Sequence, residues 1–380
     1  MDASITCAFL DYFSAVEDPR LERMRLHSVE EILLVTLTGL LANCDGWSDI
    51  EAFAKAKITF LKTFLPFPNG CPSDDTCRRF FRAVAPEQFQ ACFLKWVESL
   101  KMSRGSMISI DGKTHRGSRD EMSEENKALH LVSAFASEAR LVLGQEAVRD
   151  KSNEITAIPI LLKLLDLKDQ TVSIDAMGCQ KSIAAQIQEQ GGDYIFGLKG
   201  NQGNLCAEVK ALFDSESLLN KGKSASKMDT VVDKGHGRIE IRTCEVRHDI
   251  GEILEAEKWS GLKSLIKIDA QRIMGDDIET QTRYYISSHT EKDPAWFNRA
   301  IRSHWAIENN LHWVLDVVFK EDDSRIRRGN APHNIAIIRH AVLNMIRAVK
   351  PKRPSIKGLR KMCGWELELF RFRLIKCWSP

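Results

Sequence analysis

Two stretches of the chain nearly repeat each other. "ISIDG" at 108–112 and "VSIDA" at 172–176 both run apolar, Ser, apolar, Asp, then a small residue. Read as strands, each puts its apolar pair (Ile108 and Ile110; Val172 and Ile174) on one face and its Ser and Asp on the other. Each aspartate reads as the last residue of its strand, and ligand sites in open α/β sheets gather at the carboxyl ends of strands. If the strands are neighbours, Asp111 and Asp175 are close. Two unit charges about 4 Å apart repel by about 4 kcal/mol at an effective dielectric of about 20. Such a pair requires either a proton or a cation between the carboxylates, and hard divalent cations with oxygen ligands, Mg²⁺ or Mn²⁺, meet that need. Either aspartate taken alone is more often a loop cap.

A third carboxylate lies further on. Over residues 295–318, steps of three and four place Phe297, Ile301, His304, Glu308, Leu311 and Leu315 on one helical stripe. Glu308 falls in the middle of this mainly apolar face, with Trp305 and His312 beside it. A glutamate buried there must be paired or bind a metal. Two readings stand at this point: an internal pair with His304 one turn earlier, or a metal ligand, direct or through water, beside Asp111 and Asp175. Gly112, Lys113 and Thr114 look like the end of a phosphate-binding loop. The G-x-x-x-x-G-K-[ST] pattern, however, needs a glycine where Met107 stands, and no helical pattern follows.

Bulk properties narrow the setting. A chain of 380 residues exceeds one ordinary compact domain, so two or three units are expected. Its 43% hydrophobic and 28% charged residues fit a soluble protein. No run of 18 apolar residues predicts a membrane span. The start, "MDASITCAFLDYF", has no basic region of the secretory kind. The ten cysteines form no CxxC pair, which excludes zinc-finger spacing and fits reduced thiols in a cytoplasmic protein. The net charge of +2 does not by itself advertise nucleic-acid binding. Basic clusters do occur at 347–361 and at 320–328, "KEDDSRIRR", which ends in three arginines, although a solvated face accounts equally well for either one alone.

The elements that must position the acids follow from patterning. Residues 1–102 read as a helical N-terminal domain, a candidate DNA-binding unit. "SVEEILLVTLTGLLANC" begins with a Ser28–Glu31 capping box. "WSDIEAFAKAKITFLKTFLPFP" reads as a second helix stopped by Pro66 and Pro68. Two shorter helices, "PSDDTCRRFFRAV" and "PEQFQACFLKWVESL", fit plain packing better than a helix-turn-helix. From 103 to 350, strands alternate with helices, which implies an α/β catalytic domain with a mixed sheet. A β-rich insertion occupies about 203–290. A long helix then starts at Asp293 as N-cap with Pro294 at its first position. The last clear helix is "NAPHNIAIIRHAVLNMIRAV", and residues 351–380 form a basic and then apolar tail with no placement.

Several blocks together carry a resemblance: "DGKTHRGS", "KSNEITAIP", "IDAMGCQ", "GLKGNQ", "HGRIEIR", "HWAIENNLHWVLDV" and "RIRRGNAPHNIA". They resemble the H-repeat-associated insertion-sequence transposases of the DDE type, over roughly residues 8–350. The resemblance implies a ribonuclease H-like core and carries the three acidic positions onto Asp111, Asp175 and Glu308. It implies metal-dependent cleavage and strand transfer of DNA with Mg²⁺ or Mn²⁺, Asp111 bridging two metals while Asp175 and Glu308 each bind one. It also implies DNA as partner and a homodimer that brings two element ends together. Lys113, Arg116, Lys199, Asn201, His304, Arg325 and Arg328 are then candidate DNA contacts. Arg238 and Arg242 on the insertion either contact DNA or brace the fold. Related transposases carry Tyr-x2-Arg-x3-Glu-x6-Lys on the glutamate helix; here those places hold Ile301, His304, Glu308 and Leu315, so only the glutamate is kept. A nuclease that cuts without joining and a catalytically degenerate DNA-binding relic are the alternatives. Two-carboxylate glycoside hydrolysis would leave Glu308 and the arginines without a role.

Overall fold

The strand candidates after residue 106 all join one nine-stranded mixed sheet. The structure, a computed structural model, describes residues 8–100, 105–120, 127–148, 154–219, 227–235, 237–290, 292–349 and 355–366. Six helices precede the sheet: α1 Ala8–Phe13, α2 Val29–Leu41, α3 Trp47–Ala56, α4 Ile58–Leu61, α5 Asp74–Ala83 and α6 Pro86–Ser99. The capping box forms at the start of α2, where Ser28 Oγ accepts from the Glu31 N–H and the Glu31 carboxylate accepts from the Ser28 N–H. The single helix expected after Trp47 is two helices with a break at Lys57, and α4 ends well before Pro66. Helices α5 and α6 are packing elements: Phe80, Phe81, Phe89 and Phe93 are fully buried, and Arg78 and Arg79 pair with Asp74 and Asp75 of their own helix.

The sheet elements and their connections are β1 Met107–Thr114, β2 His130–Ala136, β3 Leu141–Val148, α7 Glu154–Lys163, β4 Thr171–Ile174, α8 Lys181–Glu189, β5 Asp193–Leu198 and α9 Gly203–Leu219. The insertion adds β6 Lys227–Gly235, β7 Arg238–Arg247, β8 Ser264–Met274 and β9 Asp277–Ser287. The spatial order is β3-β2-β1-β4-β5-β9-β8-β7-β6. Antiparallel β3, β2 and β1 followed by parallel β4 and β5 make the ribonuclease H-like core. The insertion is not a separate sheet, because β9 pairs antiparallel with β5 and widens the same one. Strand β6 has no counterpart among the sequence-based expectations, since it is exposed on both faces and lacks the apolar alternation of a half-buried strand.

Neighbouring β1 and β4 place the two aspartates side by side: their pairing ends at Ile110↔Ile174, one residue before each acid. Neither aspartate ends a strand as expected. Strand β1 continues through Asp111 to Thr114, held by β2, and Asp175 stands just beyond β4.

The remaining helices are α10 Pro294–Ala306, α11 Trp313–Phe319, α12 Ala331–Val349 and α13 Ile356–Trp365, with a π-helical segment, Ile307–His312, between α10 and α11. One continuous helix was expected there; its N-terminus is as predicted, with Asp293 Oδ1 accepting from the Trp296 N–H at 2.7 Å. Helix α12 joins the halves of the molecule. Asn334 donates to the Phe81 and Val84 carbonyls at 2.9 Å each, and Asn344 pairs with both backbone groups of Val142 on β3. The N-terminal helices and the sheet thus share one apolar core. In the tail, α13 buries Arg360, which donates to the Leu40 carbonyl and the Asp45 carboxylate; residues 350–354 and 367–380 lie outside the described residues. Among the described residues no helix is long and apolar enough to cross a membrane.

Beneath the site, a buried charge network locks β1 to the end of α11. Lys113 Nζ lies 2.7 Å from Asp316, 3.2 Å from Glu321 and 3.3 Å from Asp322. Glu321 is fully buried beside His115 and Arg339. Burial acts to raise its carboxyl, and His115, Lys113 and Arg339 outweigh it, holding Glu321 at about 2. Burial drives His115 down to about 4 and His340 to about 3 from the ordinary 6.5, so both are neutral at pH 7. The unfolded chain takes up protons on these histidines below pH 6.5 before the folded chain does, so stability is predicted to fall as pH drops from about 6.5 toward 4. Glu321 adds a second loss as pH falls from its ordinary 4.5 toward 2. Replacing Glu321 by Gln leaves Lys113 and Arg339 buried with one partner fewer, at an expected cost of about 3–5 kcal/mol. Urea unfolding of both chains at pH 7.5 and pH 5 checks both expectations.

Candidate active site

Three elements bring the acids to one cleft. Asp111 comes from β1, Asp175 from the turn after β4, and Glu308 from the π-helical segment, and all three line a cleft of about 800 Å³. Gly112 follows Asp111 because the next position has no room: a Cβ there would lie 2.4 Å from Glu154 Oε1 and 2.8 Å from His130 Nε2. The Asp111 Oδ1 accepts from the Gly112 N–H at 2.9 Å, and Asp175 Oδ1 accepts from Met177 and Gly178 N–H at 2.9 and 3.3 Å. Asp175 therefore does cap its turn, as an isolated aspartate would, while facing the cleft.

Glu308 departs from expectation in two ways. Its side chain is 54% exposed at the cleft rather than buried in an apolar face. Its partner is His312, one turn later, whose Nδ1 lies 2.8 Å from Glu308 Oε2 and 3.6 Å from Asp111 Oδ2. His304 instead faces Ser173 of β4, Nδ1 to Oγ at 3.0 Å. The π-helical segment carries both Glu308 and His312, and such turns recur at functional sites because they re-aim side chains within a helix.

Asp111, Glu308 and His312 each offer a ligand atom, and these atoms all lie within 4.8 Å of one another. Asp175 stands in the same cleft but outside that tight group. Burial raises the Asp111 carboxyl to about 6, with Glu308 and Asp175 adding to the rise and His312 opposing it. The hydrogen bond from His312 lowers Glu308, against its partial burial. His312 Nε2 is buried with no hydrogen-bond partner among the described residues. A desolvated carboxylate facing two others, with an imidazole wedged against it, is an arrangement that a cation relieves. The oxygen donors suit Mg²⁺ or Mn²⁺, and the added nitrogen suits Mn²⁺ better than Mg²⁺.

The basic candidates divide. Lys113 faces inward, 10% exposed and surrounded by three carboxylates, so its ammonium belongs to the fold. His304 is engaged with β4, burial lowering its pKa so that it sits neutral in the cleft wall. Asn201 donates to the Ala176 carbonyl at 2.6 Å and so ties the end of β5 to the Asp175 turn. Arg242 is buried and donates to the Asn298 carbonyl of α10, which is bracing. Lys199 is exposed on the cleft rim, and Arg116, Arg325 and Arg328 are exposed nearby in sequence to β1 and α11. Sequence reasoning named Trp305 but missed its partner: the ring, 43% exposed, carries the Arg283 guanidinium 5.4 Å from its centre, and Lys210 stands over Tyr284. It also passed over His312 as a candidate ligand, although the four-residue step from Glu308 was there to read.

The strand order and the three carboxylates that converge on one cleft define a ribonuclease H-like class of protein. Comparison with known proteins names the family. Residues 103–345 match the model described as "Transposase DDE domain", and residues 10–97 match the one described as "DDE_Tnp_1-associated". The chain belongs to this family of DDE-domain transposases. It is 41% identical over 360 residues to "Putative transposase YncI" of Escherichia coli O157:H7, covering 93% of this chain and 91% of that one. It is 40% identical over 345 residues to "H repeat-associated putative transposase YhhI" of Escherichia coli (strain K12), covering 89% of each. Among solved structures it aligns with a chain of the piggyBac transposase synaptic complex with hairpin DNA, at TM-score 0.46 and 11% identity, over 98% of this chain and 78% of that one.

A titration with Mn²⁺ tests the donor set without any DNA. The wild-type chain is expected to bind, Asp111→Asn to lose binding, and His312→Ala to weaken it about ten- to a hundredfold. Trp313→Ala, on an exposed position of α11, is expected to leave it unchanged.

Proposed function

We propose that the chain cleaves DNA at the ends of an insertion-sequence-like element and joins those ends to target DNA. The observation that carries this reading is the convergence of Asp111, Asp175 and Glu308 on one open cleft. Asp111 and Glu308, with His312 beside them, would hold a divalent cation, and Asp175 would complete the set from the end of the neighbouring strand. When bound, such a cation activates a water or a 3′-hydroxyl and offsets charge on the leaving oxygen.

The chain's own residues do the rest. The carboxylates act as cation ligands and need no covalent intermediate, so no Ser, Cys or Tyr nucleophile is required. Lys199 on the rim, with Arg116, Arg325 and Arg328, supplies positive charge for the phosphate backbone, which positions DNA without reading its sequence. Lys113 serves as a positioning residue two positions beyond Asp111: its triple ion pair fixes β1 against α11. Two copies act together, because two element ends must meet.

The test incubates the chain with DNA bearing the terminal inverted repeats that flank its reading frame, plus Mg²⁺ or Mn²⁺. Cleavage and joining are expected, and both are expected to be lost in Asp175→Asn. Joining that survives this substitution would overturn the three-acid reading; cleavage without joining would mark a nuclease, and binding alone a relic. Lys199→Ala is expected to weaken DNA binding across sequences and to reduce the slope of log affinity against log salt by about 1.

A further inference from the structure

At the far edge of the sheet, β6 has no neighbour on its outer side among the described residues. The opposite edge strand, β3, is buried beneath α6, α7 and α12. Strand β6 is instead exposed along almost its whole length, including Met228 (60%), Val231 (39%) and Val232 (53%). A strand of nine residues with open N–H and C=O groups is a template for another strand, and exposed edges are normally blunted. Edge charges of one sign would blunt this one against any copy of itself. Strand β6, "KMDTVVDKG", instead carries both signs, Lys227 and Lys234 with Asp229 and Asp233.

The order of those charges selects a partner. Two copies of a strand paired antiparallel about a two-fold axis bring residues of equal parity face to face. With the axis at Thr230, each Lys227 faces Asp233 of the other copy, each Met228 faces Val232, and Thr230 faces itself. Two ion pairs and two apolar pairs form at once, on opposite faces of the ribbon. Moving the axis to Val231 sets Asp229 against Asp233 twice, and moving it to Asp229 sets that residue against itself. An axis at Val232 leaves Asp229, Asp233 and Lys234 facing Gly235, Val231 and Thr230. An axis at Met228 also sets Lys227 against Asp229 twice, but it overlaps only residues 227–229 of the strand. Of the registers that overlap five or more strand residues, only the one centred on Thr230 forms ion pairs, with Asp229 facing Val231 between them.

We propose that two copies of this chain associate through β6, in antiparallel register centred on Thr230, so that the two sheets become one. This goes beyond the two-copy requirement above by assigning its interface. The contact is narrow compared with the roughly 1,200 Å² of a stable interface, so the pairing is weak and concentration-dependent.

The charges give a test that needs no DNA, so its outcome is independent of whether the chain cuts. In sedimentation of the full chain, the wild type is expected to dimerise with rising concentration. Lys227→Asp alone and Asp233→Lys alone each place like charges opposite twice, and each is expected to weaken the dimer about tenfold or more. Mixing the two single variants restores opposite charges at both positions, so a heterodimer of wild-type strength is expected, as is a homodimer of the double variant. Under mild oxidation Thr230→Cys is expected to cross-link two chains, because facing positions lie within disulfide reach, and Met228→Cys to give no more cross-link than the wild type. A wild-type chain that stays monomeric, single variants that dimerise as well as the wild type, or a mixture that does not recover would each overturn the proposal.

Discussion

Three carboxylates gathered at one cleft are the constraint around which this molecule is arranged. Parallel pairing of β1 and β4 ends at Ile110 and Ile174, so Asp111 and Asp175 emerge together, and the π-helical segment adds Glu308 to the same space. Asp111 bears most of the consequence, since it is the most enclosed of the three and its carboxyl is pushed to about 6. His312 partly answers that repulsion from within the chain by standing between Asp111 and Glu308. The strain is thus centred on Asp111, which the fold encloses and sets near two other acids.

Holding such a site requires rigid support, and the support is itself ionic. Lys113, two residues beyond Asp111 on β1, is held by Asp316, Glu321 and Asp322. Glu308, His312 and Asp316 recur at steps of four, so one helical edge meets β1 first with the candidate donor groups and then with the lysine clamp. Gly117 completes the closure: a Cβ there would lie 2.4 Å from the Ser324 carbonyl and 2.5 Å from that of Asp322, so only glycine lets the two loops touch. Behind these, α12 ties the strands to the N-terminal helices through Asn334 and Asn344, which makes the helical segment part of the same core as the sheet.

Much of this was legible because it is local. Alternation in "ISIDG" and "VSIDA" identified two strands with acids in equivalent places, and the capping residues Ser28 and Asp293 marked helix starts where they occur. What was hidden depended on partners distant in sequence or on geometry without periodicity. Lys113 looked like a phosphate ligand because Glu321, which takes its charge, lies 208 residues further on. Glu308 looked buried because an α-helical wheel continues smoothly through 307–312, and nothing in the apolar spacing reveals a π-helical segment there. Strand β6 drew no strand assignment because solvent on both faces removes the alternation by which strands are recognised. Arg360 gave no sign of burial, since its partners, the Leu40 carbonyl and Asp45, belong to the other end of the chain.

The π-helical segment has a consequence for how this site tolerates change. A π turn is one residue more than an α-helix needs, so it behaves as an insertion stored inside an otherwise regular helix. Losing one residue between Glu308 and His312, such as Asn309, would let the segment relax into ordinary α-helix with α11 keeping its register against β1, since the π turn is what absorbs the extra residue. Asp316 would keep its place in the lysine clamp, while the step from Glu308 to His312 would shorten from four residues to three. Length, then, is what sets the spacing of these two side chains.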